Sequence, residues 1–235
     1  MNDFLRGLFF VRTCVVCGRA LPDAEKDTVF CADCLLEYQK LCRDVCPQCE
    51  RTERDCRCVP RKLKGKLGFA AHLFTFHDPI SRAIVYSMKL KNLPYLQRFL
   101  AGELSGLVRE VTQGCLSDFT VSFAPRKPRS VRVYGFDQAK ILAKLSAEQL
   151  GLPFAQIFRH ARISKSQKRL NVAERERNAN KSYSLRDDFV RRTDKLLIFD
   201  DVMTTGSTLS ALVALAKAAG FREVCVICIA KTGRI

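Results

Sequence analysis

No apolar run in these 235 residues approaches the ~18 that a membrane-spanning helix needs, so a span of that kind is excluded. The chain's start does not read as a secretory signal either. The opening MNDFLRGLFFVRTC has an early acid at Asp3, an apolar stretch broken by Arg6 and Arg12, and no small-residue cleavage site, so a cytoplasmic chain is expected. Histidine is scarce: His72, His77 and His160 are scattered, no general base is recognisable among them, and each is expected at the surface or half-buried. Acids are outnumbered, 24 against 40 Lys and Arg, and the resulting net charge of +16 attracts polyanions without naming one. A 47% apolar, 27% charged composition with a mean hydropathy of −0.06 is a globular balance, with enough apolar side chains to bury a sizeable core.

Cysteine is abundant and unevenly placed. Nine of the twelve lie between Cys14 and Cys58. In a reducing compartment, Cys-x-x-Cys pairs at this density are metal ligands more often than disulfides. Cys14-x-x-Cys17 with Cys31-x-x-Cys34 forms one set, and Cys46-x-x-Cys49 with Cys56-x-Cys58 forms another. The tight turn of such a pair aims two sulfurs at one tetrahedral ion ~2.3 Å away, and Gly18 and Pro47 suit that turn. Two structural Zn²⁺ ions are the reading, because sulfur fills every position and leaves none for water. Free thiols and an iron–sulfur cluster are the alternatives. The tighter Cys56-x-Cys58 pair also leaves open a replacement by Cys42 and crossed pairing between the sets. Cys115, Cys225 and Cys228 read as core.

Composition changes near Pro60. Residues 1–60 carry nine basic and ten acidic side chains, so the basic excess belongs to the remainder of the chain. We expect a small zinc-ribbon domain over 1–60 and a second domain over 61–235. Apolar spacing predicts strands in 68–76, Thr120–Ala124, Leu196–Phe199 and Val224–Ile229. It predicts helices over Ile80–Leu90, Tyr95–Val111, Tyr134–Leu150 and Thr208–Ala219, the last closed by Gly220. Strands alternating with helices, and apolar runs such as LLIF and VCVICIA, predict an α/β fold whose parallel sheet is buried on both faces. Arg159–Arg192 is polar, with 11 basic against four acidic residues, and is expected to be a long mobile loop. Phe4, Leu5, Leu8, Phe9 and Phe10 are expected to pack within the chain.

The run Leu196-Leu-Ile-Phe-Asp-Asp-Val-Met-Thr-Thr-Gly-Ser-Thr208 reads as strand, turn and helix start. Asp200 and Asp201 emerge at the carboxyl end of a central strand, where open α/β sheets place ligands. Thr204, Thr205, Gly206, Ser207 and Thr208 supply amides and hydroxyls at a helix N-terminus, a site for a phosphate dianion. Gly206 lets the backbone approach closely. Carboxylates beside a phosphate make sense if they face a sugar diol or a divalent ion.

This run resembles the phosphoribosyl pyrophosphate (PRPP) loop of type I phosphoribosyltransferases. APRKPRSVRVYGFDQAKILAKLSAEQLG and SQKRLNVAERERNANKSY resemble two further segments of the ComF/GntX family, although Tyr134 and Asp137 stand where that family carries Arg and Asn. With the leading cysteine pairs, the likeness covers nearly the whole chain. The resemblance implies a double zinc ribbon ahead of a type I phosphoribosyltransferase-like, mostly parallel sheet flanked by helices, in a family whose members serve in natural competence for DNA uptake. It implies that Asp200 and Asp201 meet the ribose hydroxyls and that Thr204 to Thr208 wrap the 5′-phosphate. It further implies that Arg126 and Lys127 stand at the pyrophosphate loop, that Gln167, Arg175 and Asn178 belong to a closing lid, and that Mg²⁺ accompanies PRPP. The reaction would be attack on ribose C1 with loss of pyrophosphate, the acceptor being undefined by the sequence. The alternative, from a different class, is a non-catalytic competence factor that holds single-stranded DNA on the basic face of the same domain. Competence-machinery proteins are further candidate partners.

Overall fold

A computed structural model of the protein describes residues 12–22, 28–161 and 182–232. In chain order its elements are α1 (Ala32–Arg43), β1 (Ala70–Phe76), α2 (Pro79–Leu90), α3 (Pro94–Thr112), β2 (Phe119–Phe123), α4 (Pro128–Tyr134), α5 (Gln138–Leu150), β3 (Phe158–His160), β4 (Tyr183–Leu185), β5 (Lys195–Met203), α6 (Ser207–Ala218) and β6 (Glu223–Thr232). Among the described residues, no helix is long and apolar enough to cross a membrane.

Local chemistry starts and stops these elements. Asp78 caps α2 by accepting from Ile80 and Ser81 N–H at 2.7 and 3.0 Å, the Ser81 hydroxyl closes the reciprocal box, and Pro79 fills the first position. Pro94 opens α3 in the same way. The four long strands form one parallel sheet in the order β1-β6-β5-β2. Alternation along β5 and β6 feeds two apolar layers. Leu197, Phe199, Cys225 and Ile227 face α1, α2, α3 and α5, whereas Leu196, Ile198, Val226 and Cys228 face α6. The expected two-sided burial of LLIF and VCVICIA is therefore seen, and Cys225 and Cys228 are core residues on opposite faces. The result is a parallel four-stranded sheet flanked by helices on both faces.

Four expectations need correction. Tyr134–Leu150 is not one helix: Gly135, at φ 79°, ends α4, and Asp137 caps a separate α5. Cys115 is exposed, not core, because it lies past the end of α3. His72 is fully buried on β1, where Glu53 accepts a bond from it. The polar stretch from Arg159 is not all loop, because β3 and β4 pair antiparallel and Asp187 takes both arms of the Arg159 guanidinium at 2.7 and 2.8 Å. Gln167, Arg175 and Asn178 lie outside the described residues, as do Phe4, Leu5, Leu8, Phe9 and Phe10.

Candidate functional site

The chain leaves the adjacent strands β2 and β5 toward opposite faces: β2 leads to α5, on the α3 side, and β5 leads to α6 on the other. A crevice opens at carboxyl ends where connections part in this way. Asp200 and Asp201, both half-buried, stand at the β5 end. Asp201 Oδ2 accepts from Gln138 Nε2 at 2.6 Å and lies 3.4 Å from Lys89 Nζ. Asp200 Oδ1 accepts the Asp201 N–H at 2.8 Å. Burial, and then the Asp201 carboxylate beside it, hold Asp200 well above the ordinary aspartate range. Two adjacent acids are thus made unequal: Asp201 has a cationic partner, and Asp200 is driven toward its protonated form. Among the described residues, Gln138 Oε1 is a buried acceptor with no hydrogen-bond partner.

Beyond the acids the chain turns into α6. Thr204 and Thr205 are exposed, and Thr205 Oγ1 lies 3.1 Å from Ser207 Oγ. Gly206 takes the N-cap position at φ 71° and brings no side chain of its own to the 12-residue helix, whose first amide, Ser207 N–H, donates only a long bond to Thr205 Oγ1 at 3.5 Å. A side chain at Gly206 would be strained by that φ and would also meet Pro60, whose Cβ would lie 3.0 Å from the added carbon. Burial holds the Tyr183 side chain above the ordinary tyrosine range, against the opposing influence of Thr208. The Tyr183 ring in turn lies 4.6 Å from that of His160, and His160 Nε2 is 3.0 Å from Pro125 O.

At the β2 end, Arg126 N–H donates to Asp137 Oδ2 at 2.8 Å, and its guanidinium lies over the Tyr134 ring at 4.3 Å. The two departures from the ComF pattern therefore act together on Arg126, one beneath its charge and one on its amide. Lys127 caps α4 with an exposed side chain.

Both cysteine sets come together as the spacing predicts. Cys14, Cys17, Cys31 and Cys34 form one cluster and Cys46, Cys49, Cys56 and Cys58 another, with ligand atoms in each within 4.8 Å of one another. Cys17 and Cys31 sulfurs are 3.8 Å apart, close to the ~3.8 Å edge of a tetrahedron of sulfurs ~2.3 Å from zinc. Either set could hold a zinc ion. In the first, Thr13 pairs with Ala20, Cys14 N–H donates to Arg19 O at 2.8 Å and Gly18 N–H to Cys14 O at 2.9 Å. The hairpin recurs where Val45 pairs with Thr52: Cys46 N–H donates to Arg51 O and Glu50 N–H to Cys46 O, both at 2.8 Å. Burial opposes ionisation of Cys14, but turn amides outweigh it and bring the thiol to about 7. Burial likewise opposes Cys46, and Lys231 and turn amides bring it to about 6. Cys42 is not in either cluster; it is buried beside Tyr38, and burial pushes it up to about 11.

The second centre is wired into the sheet. Lys231, buried at the carboxyl end of β6, donates to Cys46 Sγ at 3.1 Å and Cys56 Sγ at 2.9 Å, and its ammonium lies 3.4 Å from Glu53. Glu53 also bonds His72 at 2.7 Å and Thr75 at 2.6 Å on β1.

No family model matches the chain. Competence protein ComFC of Streptococcus pneumoniae is 23% identical over 226 residues, covering 90% of this chain and 96% of that protein. The chain resembles ComF competence proteins along nearly its whole length. Competence protein F of Haemophilus influenzae is 26% identical over 153 residues, 63% of this chain and 66% of that protein. Among solved structures, the glutamine PRPP amidotransferase of B. subtilis, in complex with ADP and GMP, superposes with a TM-score of 0.40 at 18% identity, over 62% of this chain and 30% of that one. This ComF-like chain thus spans about a third of that enzyme's length.

Sequence reasoning missed Lys89, Gln138, Tyr183 and Lys231. Each sits on an element whose own pattern is unremarkable and reaches its partner only through tertiary packing. One signal was available: the matched spacing of Cys14-x-x-Cys17-Gly-Arg and Cys46-x-x-Cys49-Glu-Arg marks a repeated hairpin.

Proposed function

We propose that the crevice at the ends of β2 and β5 binds PRPP with Mg²⁺, in a phosphoribosyltransferase-like ComF protein linked to DNA uptake. The observation that carries the reading is the unbroken run from Asp200 to Thr208: two carboxylates at the end of a central strand, then a glycine turn that opens a helix. The turn amides and the Thr and Ser hydroxyls receive the 5′-phosphate. Asp200 and Asp201 accept from the ribose hydroxyls, and the unpartnered Gln138 Oε1 is a further acceptor for a sugar hydroxyl. The Arg126–Lys127 backbone lies where the pyrophosphate is expected. Mg²⁺ would neutralise the departing pyrophosphate, and the paired carboxylates are oxygen donors that suit it. What the chain supplies is positioning and charge. In this reading residues 1–60 are a zinc-ribbon domain and 61–235 the PRPP domain.

Calorimetry with PRPP, with and without Mg²⁺, tests it. Mg²⁺-dependent binding that disappears in the Asp200→Ala/Asp201→Ala protein is the expected result, and no heat from the wild type would overturn it. Pyrophosphate release across candidate acceptors then separates binding from turnover.

One observation favours the second reading. No residue of α4 is buried, and the helix presents Arg129 and Arg132 beside Val133 and Tyr134, the last two 67% and 40% exposed. Exposed cations beside an exposed aromatic ring suit single-stranded DNA. Such binding would weaken steeply with salt and survive the aspartate substitutions; salt-insensitive or undetectable binding would remove it.

A further inference from the structure

Residues 61–66, Arg-Lys-Leu-Lys-Gly-Lys, are a basic linker that follows the cysteine pairs, and in the structure this linker underlies the turn that opens α6. Two residues after Cys58 comes buried Pro60, and a short 3₁₀ turn over Arg61–Leu63 closes with the Leu63 N–H on Pro60 O at 2.8 Å. Leu63 is fully buried with Met203, Leu209, Leu212 and Val213, which clamps the linker onto the first turns of α6. Pro60 and Leu63 press so closely on Gly206 that a Cβ there would come within 3.0 and 3.2 Å of them. The Ser210 hydroxyl donates to Lys62 O at 3.3 Å and fixes the lysine backbone. From this anchor the Lys62 ammonium donates to Ser207 Oγ at 3.0 Å, at the rim of the turn.

We propose that Lys62 binds the phosphate-monoester end of the substrate, and that the second cysteine centre sets the position of this lysine through Pro60 and Leu63. The assignment rests on the PRPP reading and deepens it, because it names the residue that distinguishes the two ends of the ligand. The helix amides carry only partial positive charge, whereas a dianion seated on them gains a full cation from Lys62. Ser207 holds that cation beside the seat, so little further ordering is needed when the ligand arrives. The Cys46–Cys58 segment then has a role in binding as well as in folding.

The experiment is calorimetric titration of the zinc-loaded full chain with PRPP, with ribose 5-phosphate, and separately with Mg²⁺–pyrophosphate. Lys62→Ala, a change at an exposed side chain, is expected to weaken ribose 5-phosphate about tenfold and leave pyrophosphate and the melting temperature unchanged. Lys62→Arg is expected to recover most of the loss. Pro60→Gly, which frees the linker but keeps the charge, should weaken ribose 5-phosphate with zinc content unchanged. Equal affinity of Lys62→Ala and wild type for ribose 5-phosphate, or an equal loss for pyrophosphate, overturns the assignment and leaves PRPP binding standing. A wild type that binds neither PRPP nor ribose 5-phosphate brings both down together.

Discussion

Glu50 sits in left-handed backbone at φ 58°, in the place that Gly18 occupies at φ 74° in the first hairpin. A Cβ in that conformation costs roughly 1 to 2 kcal/mol. Glu50→Gly should therefore stabilise the protein by about 1 kcal/mol, read as a melting temperature ~2–4 °C higher in a chain of this size. Asp200 is the opposite case, a residue whose native setting works against its own charge. Because its pKa is raised in the folded state, folding favours its protonated form, and stability is lost as pH rises from about 4, the unfolded value, to the folded pKa. Asp200→Asn keeps the shape without the charge. Its melting temperature should match wild type near pH 4 and exceed it increasingly toward neutral pH, while PRPP binding falls. A constant offset at every pH would show that ionisation is not the cause.

At the scale of elements, the connection from β2 to α5 is held by one carboxylate that does two jobs. Asp137 accepts the Arg126 N–H at 2.8 Å and the Lys140 N–H at 3.2 Å, so it fixes the loop and caps the helix. Burial raises its pKa in spite of those bonds. Asp137→Ala is expected to cost about 1 to 2 kcal/mol in chemical denaturation and to weaken pyrophosphate binding, whereas Asp137→Asn should retain part of both. This loop also shows where the sequence could be read and where it could not. Apolar periodicity marked the four long strands and α2, α3, α5 and α6, because burial selects side chains at fixed intervals. It ran through Gly135, because α4 buries nothing and so leaves no apolar stripe to interrupt. The Asp200–Thr208 turn was legible since its chemistry is contiguous. Lys89 and Gln138 were not, since they meet Asp201 only once α2 and α5 have packed.

For the whole molecule, the cysteine segment is part of the main core. Phe30 stacks on Tyr38 at 5.1 Å and meets Phe99 of α3 edge-on at 5.3 Å, and the Tyr38 hydroxyl donates to Glu103 at 3.0 Å. Arg54 reaches Glu110 at 3.0 and 3.1 Å, and Lys231 ties β6 to Cys46 and Cys56. A metal held by the second cysteine set would therefore be coupled to sheet stability. Chelation of zinc should lower the melting temperature of the sheet in a single cooperative transition, followed by scanning calorimetry. Two transitions, with the upper one unmoved, would show independent units.

The twin hairpins give the molecule an internal control. One backbone seat has been filled by the smallest residue in one copy and by a long acid in the other, within a single chain and under the same solution conditions. Exchanging the two residues between copies would weigh the seat against its surroundings, free of the differences that trouble comparisons between separate proteins.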